Sequence, residues 1–132
     1  MSHVFKQRVY YSDTDAYGVV WHGSYLRWLE MGRVMLCEKA GTTLKELEND
    51  NIVMPVAEMN IKYKNSAKLE DEITIETEIV SYGKFYLTFQ QRIFDEKTNK
   101  TYIEATFKVV AINKDGKLYR SLPEQIQKIC NQ

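Results

Sequence analysis

Residues 24 to 41 read S-Y-L-R-W-L-E-M-G-R-V-M-L-C-E-K-A-G, and this stretch decides what kind of domain the chain can form. Tyr25, Leu29, Gly32, Leu36 and Ala40 recur at steps of four, three, four and four, one apolar stripe of an α-helix. Trp28, Met31 and Met35 widen its flank. Gly41 supplies a left-handed stop, so the spacing predicts a helix from about Ser24 to Ala40. Gly32 at mid-stripe carries a helix penalty of about 1 kcal/mol, which a close approach of the helix to its neighbour would outweigh. Thr43-Leu-Lys-Glu46 matches a capping box and predicts one short extra helix.

On either side of this helix the period is two. Upstream, Val4 to Tyr11 reads as a strand. Downstream, Pro55, Ala57, Met59, Ile61 and Tyr63 alternate with Val56, Glu58, Asn60, Lys62 and Lys64. Ile73, Ile75 and Ile79, then Phe85, Leu87, Phe89 and Ile93, then Ile103, Ala105, Phe107, Val109 and Ala111 repeat the pattern. Turn signals at Lys68–Asp71, Ser81–Lys84, Asp95–Lys100 and Asp115-Gly116 separate the runs, which predicts strands joined mostly as hairpins. Pro55 suggests an edge strand, and a helix around Pro123 to Ile129 closes the chain. A helix of about 17 residues spans ~25 Å and strands of about 10 residues span ~33 Å, so one helix fits along one sheet. The expectation is a single α+β domain over residues 1–132, a long central helix wrapped by a five-stranded antiparallel sheet. Tyr86, Phe94, Tyr102, Val110 and Ile112, interspersed with charges, imply that the sheet's other face is partly buried against another subunit.

Composition narrows the function. Among 132 residues, 18 Lys+Arg balance 18 Asp+Glu, which gives no reason to expect nucleic-acid binding or an anionic membrane as partner. No run approaches the ~20 apolar residues of a membrane span. The two cysteines, Cys37 and Cys130, form no CxxC or Cys/His cluster, so neither a disulfide framework nor a metal site is expected. With no apolar N-terminal run, the expected compartment is the cytoplasm.

The stretch Tyr11-Ser-Asp13-Thr-Asp15-Ala-Tyr17-Gly18-Val-Val-Trp-His22-Gly-Ser-Tyr25-Leu-Arg-Trp28-Leu-Glu30 carries the chemistry. It resembles the signature of hotdog-fold acyl-CoA thioesterases of the 4-hydroxybenzoyl-CoA thioesterase type, including the branch associated with the Tol-Pal system. The order of helix and strands agrees over nearly the whole chain. Thioester hydrolysis needs a base or nucleophile near the carbonyl carbon and donors near the developing oxyanion. A helix start offers unpaired N–H groups, and Gly18 lets the preceding loop turn tightly. Asp15 is the candidate nucleophile or water-activating base, and the resemblance makes the matching carboxylate catalytic. By resemblance the backbone N–H of His22 is the oxyanion donor; the His22 ring either orients the thioester and tunes Asp15 or is merely hydrogen-bonded.

Other readings stand beside these. Asp13 fits a turn-former that holds the loop. Tyr25 and Trp28 fit core or acyl-pocket lining, with Met59 as a further pocket residue. Tyr17 is bulkier than the resemblance suggests and would narrow the pocket if its ring turned inward. Glu30 and Arg33 fit a helix-face ion pair, although a second thioesterase branch carries its carboxylate on the long helix, which makes Glu30 a rival to Asp15. The resemblance assigns Lys84 to the coenzyme A phosphates, with Lys62, Lys64, Lys68 and Arg120 as alternatives. It implies an acyl-CoA substrate, no cofactor beyond the coenzyme A of that substrate, and a homo-oligomer, dimer or tetramer. A module that holds an acyl-CoA or acyl carrier protein without cleaving it is the alternative; hydratase chemistry on a thioester fits the loop motif less well.

Overall fold

The computed structural model describes residues 2–131. Strand β1 (Ser2–Arg8) leads through a 3₁₀ turn (Tyr11–Asp13) into helix α1 (His22–Lys39) and the short helix α2 (Leu44–Asn49). Strands β2 (Val56–Tyr63), β3 (Glu72–Tyr82), β4 (Tyr86–Phe94) and β5 (Thr101–Val110) follow, and helix α3 (Glu124–Cys130) comes last. The five strands form one antiparallel sheet in the order β1-β3-β4-β5-β2. The α+β architecture is the expected one. The connection from β2 to β3 is not a hairpin, however: β2 pairs with β5 at the far edge, and three strands separate it from β1.

Helix α1 starts two residues earlier than its stripe predicts, because Trp21 can turn the chain. Its N–H donates to the Asp13 carbonyl at 2.9 Å, and its carbonyl accepts the Ser24 N–H at 2.9 Å. At the other end Gly41 adopts φ 95°, which only a residue without Cβ tolerates easily. The Gly41 N–H then bonds the Glu38 carbonyl and the Thr42 N–H bonds the Cys37 carbonyl, closing the last turn. Tyr25, Trp28, Leu29, Gly32 and Leu36 are buried, and they pack over Ile73, Ile75, Leu87, Phe89, Ile93, Ile103 and Phe107 of the sheet. Each such large side chain contributes about 1.5–3 kcal/mol through burial.

The sheet meets α1 most tightly at Gly32. A Cβ there would lie 2.5 Å from Thr77 Oγ1 and 3.0 Å from Gln91 Nε2. The room left by the missing side chain holds a buried polar bridge, in which Gln91 Nε2 donates to the Leu29 carbonyl and to Thr77 Oγ1, each at 2.8 Å. Helix α1 leans over β1 and β3, and this leaves a cleft on its other flank toward β2 and β5.

The outer sheet face carries Tyr86 and Phe94 of β4 and Tyr102 of β5. Its rings are covered from within the chain: Arg92 lies 4.1 Å over Phe94, Lys108 lies 4.5 Å over Tyr86 and Lys100 lies 5.9 Å over Tyr102. Strand β2 is an edge, as Pro55 suggests, and of its eight residues only Ile61 is partly buried. The alternation there therefore does not mark a half-buried strand in the single chain.

Two outcomes test this packing. Gly32→Ala should lower the free energy of unfolding by about 1–3 kcal/mol despite its better helix propensity, measured by urea denaturation, because Thr77 and Gln91 must give way. Burial pushes the Cys37 thiol from 9.0 up to about 11. The folded state therefore keeps a proton that the unfolded chain releases, and this contribution is present below pH 9 and lost as the pH rises to about 11. The decline in unfolding midpoint over that window should be shallower in Cys37→Ala than in wild type.

Candidate active site

The loop between β1 and α1 is tied down by Asp13. Its side chain is 3% exposed, and the carboxylate accepts the Tyr10 N–H at 2.9 Å and Arg27 Nη2 at 2.6 Å. Its backbone carbonyl accepts the Trp21 N–H at 2.9 Å and the Ser24 hydroxyl at 3.1 Å. One residue thus joins the end of β1, the start of α1 and a helix arginine. A buried carboxylate needs this many partners to offset its lost hydration. The loop-holding reading of Asp13 is the one the geometry supports. Arg27, which no sequence motif singles out, is its counter-charge, lying on the turn of α1 just after Ser24.

Asp15 heads a tight turn that Gly18 completes. Its Oδ1 accepts the Tyr17 N–H at 2.8 Å, its carbonyl accepts the Gly18 N–H at 3.0 Å, and its own N–H donates to Val19 at 2.9 Å. Gly18 sits at φ 78° with open space where a Cβ would be, so the conformation alone selects glycine. A bridge between Thr14 and Val20 closes the turn, and another between Val19 and Lys68 ties it to the connection between β2 and β3. Asp15 is half-buried, and among the described residues nothing donates to its Oδ2.

The start of α1 lies next along the chain. Among the described residues nothing accepts the backbone N–H of His22 or Gly23, the first two of the helix. These free donors stand at the positive end of an 18-residue helix. The Trp21 indole folds back over Gly23, where any side chain would collide with it, and packs at 5.2 Å beside the exposed His22 ring. That ring makes no hydrogen bond to Asp15.

Tyr25 anchors the crossover that follows β2. Its hydroxyl accepts the Ala67 N–H at 2.9 Å, while the Ala67 carbonyl accepts the Val20 N–H at 2.9 Å. The ring packs edge-on to Trp28 and Tyr63, and burial raises the phenol's pKa, which keeps it neutral. Tyr25 is therefore a strut of the site and offers a ligand almost no surface.

The other residues singled out in the sequence fall in different parts of the chain. Trp28 is 0% exposed and belongs to the core, so it has no face to line a pocket. Tyr17 stands at the tip of the Asp15 turn, 91% exposed, and narrows nothing in the single chain. Met59 lies on the helix-facing side of β2, exposed, opposite Phe107. Lys84 sits beyond the end of β3 farthest from the loop, an 11-residue strand or ~35 Å away, so one chain does not bring it to Asp15. Lys68, bridged through Val19, is the lysine beside the loop; Lys64 is paired with Glu104 at 3.3 Å. Glu30 and Arg33 form no ion pair. Arg33 instead turns inward, donating to Gln91 Oε1 at 2.9 Å and stacking 3.9 Å over Phe107. The signal for this was present, since Arg33 lies four residues after Leu29, at the border of the buried stripe. No three His, Cys, Asp or Glu residues among those described converge as a metal site.

A long helix cradled by such a sheet, with an acidic loop at the helix mouth, is the build of hotdog-fold thioesterases, and the relatives say the same. The chain belongs to the thioesterase-like superfamily, whose pattern matches residues 9–129. It is 35% identical over 119 residues to the acyl-CoA thioester hydrolase YbgC of Escherichia coli O6:H1, covering 90% of this chain and 88% of that one. Among solved structures, a probable thioesterase from Bartonella henselae is 30% identical and superposes with a TM-score of 0.80, covering 92% of this chain and 98% of its own. A 1,4-dihydroxy-2-naphthoyl-CoA thioesterase from Synechocystis, 19% identical, shares the fold with a TM-score of 0.90 over 99% of this chain and 97% of its own.

The two aspartates should separate cleanly. Asp13→Ala leaves Arg27 and the Tyr10 N–H unpaired and should cost about 2–4 kcal/mol of stability. Asp15→Asn keeps an oxygen for the Tyr17 N–H and should melt within a degree or two of wild type. Thermal denaturation of both variants checks the difference.

Proposed function

We propose that the protein hydrolyses acyl-CoA thioesters, with Asp15 as the reacting carboxylate and the backbone N–H of His22 as the oxyanion donor. The observation that carries this reading is the pair of unpartnered N–H groups at the mouth of α1, following a turn that presents a carboxylate oxygen with no partner. The kinship with the YbgC acyl-CoA thioester hydrolase supports the substrate class.

In the proposed reaction the thioester carbonyl rests its oxygen at the helix mouth. Either Asp15 attacks the carbonyl carbon directly, or it takes a proton from a water that attacks. The carbonyl electron pair moves onto oxygen, where the His22 N–H and the helix dipole stabilise it. The pair then returns and expels the coenzyme A thiolate. Water supplies the oxygen of the free acid, and the thiolate leaves as thiol once protonated. If the acyl group is first carried on Asp15, a second attack by water releases it. No metal step is invoked. The proposed working form is a homodimer or tetramer, in which a partner copy rather than the same chain would supply Lys84 for the coenzyme A phosphates; Lys68 is the cation the chain itself places beside the loop. No helix among the described residues is long and apolar enough to cross a membrane.

The holding-without-cleaving alternative has one observation in its favour, the hydrogen bond by which Asp15 shapes its own turn. Two substitutions decide between them. Asp15→Asn preserves the turn and should lower thiol release from a panel of acyl-CoAs by at least a hundredfold. His22→Pro removes the proposed donor together with the ring, without breaking the helix: proline suits the first position of a helix, and Trp21 already has the extended backbone, φ −67° and ψ 138°, that must precede it. It should cost on the order of 10²–10³ in kcat, whereas His22→Ala, which keeps the N–H, should stay within about tenfold. Full activity in folded Asp15→Asn overturns the assignment.

A further inference from the structure

The cleft that α1 leaves toward β2 and β5 has a charged floor and apolar walls. It is a cavity of about 230 Å³ in which Val34 and Leu44 face Met54, Val56, Phe89 and Val109. Arg33 lines it. Among the described residues its guanidinium spends one N–H on Gln91, lies 3.9 Å from the centre of the Phe107 ring and makes no ion pair with any carboxylate. Burial lowers its pKa from 12.5 to about 10, and the charge of Glu30 offsets this only in part. Glu30 stands at the rim, exposed to water, too far for an ion pair. A half-buried guanidinium with donors to spare invites a partner, because a charge withdrawn from water ordinarily has one. The planar fork of an arginine matches a carboxylate through two parallel hydrogen bonds.

We infer that this cavity receives the far end of the acyl group, and that Arg33 selects acyl chains ending in a carboxylate. The inference rests on the thioesterase reading above and names its substrate class. The geometry along α1 is compatible: Arg33 lies eleven residues beyond His22, roughly 16 Å at ~1.5 Å per residue. An apolar chain of medium length, begun at the helix mouth, ends beside Arg33. The walls take its methylenes, and the guanidinium gains a directly bonded carboxylate, where Glu30 offers only a charge at a distance. Gln91 holds the fork in place, since its amide is fixed by Leu29 and Thr77.

The test compares kcat/KM for octanoyl-CoA and its ω-carboxy counterpart, suberyl-CoA. Wild type should favour suberyl-CoA by at least tenfold. Arg33→Gln should abolish that preference, and Leu44→Asp, which introduces a negative wall without touching Arg33 or Gln91, should reduce it at least tenfold in a normally melting protein. A wild-type preference for octanoyl-CoA, or a suberyl preference that survives both substitutions, overturns the inference. Calorimetric titration with octanoate and octanol separates this outcome from failure of the thioesterase reading. If neither thioester is cleaved yet octanoate binds at least tenfold more tightly than octanol, and Arg33→Gln removes the difference, the cavity assignment stands and the hydrolase reading falls. If both thioesters are cleaved alike and octanoate shows no advantage, the cavity assignment falls and the hydrolase reading stands.

Discussion

The absence of a side chain at Gly32 is the constraint from which the rest of the structure follows. Only a bare Cα lets α1 approach close enough for Gln91 to reach the Leu29 carbonyl while still holding Thr77. This bridge fixes both the height and the rotation of the helix over the sheet. Rotation in turn decides that Arg33, the next residue, faces the flank between helix and sheet rather than water. It also decides where the first turn, with its free N–H groups, meets the loop. A polar bridge inside an apolar core is costly unless every group is satisfied, and here each hydrogen-bonding group of Gln91 finds a partner. What it provides in return is position, which hydrophobic contact alone specifies weakly.

At the helix mouth the two aspartates differ in their surroundings. Asp13 is enclosed and saturated with hydrogen bonds; Asp15 is half-exposed with an unoccupied oxygen. Identical side chains two positions apart acquire opposite characters because Arg27, Tyr10 and Trp21 close around one of them alone. The loop is held by the residue that need not react, and the residue proposed to react is left with a carboxylate oxygen to spare.

Much of this was legible in the chain. The helix stripe, the close approach at Gly32, the stop at Gly41 and the edge at Pro55 each have a local physical cause, and local causes are visible in sequence. The place of β2 was not legible, because alternation fixes which faces a strand offers but not which strand it joins. Arg33 was misread for a related reason. A charge near the edge of a helix stripe reads as a surface ion pair, and only the position of Phe107 and Gln91, far away in sequence, turns it inward. The same applies to Trp28 and Tyr25: aromatic residues near a loop motif suggest a pocket, yet their burial depends on the crossover at Ala67. Tyr17 and Lys84 were placed by resemblance alone, and a pattern of neighbours along the chain does not say which way a ring points or how far a strand carries a lysine.

The separation of Asp13 from Asp15 has an evolutionary consequence. A scaffold whose loop is held by one carboxylate and whose proposed chemistry resides in another can lose, exchange or retune the second by point substitution without collapsing. Descendants of such a domain are free to drift from cleaving a ligand to merely sheltering it, and back again, with their architecture unchanged.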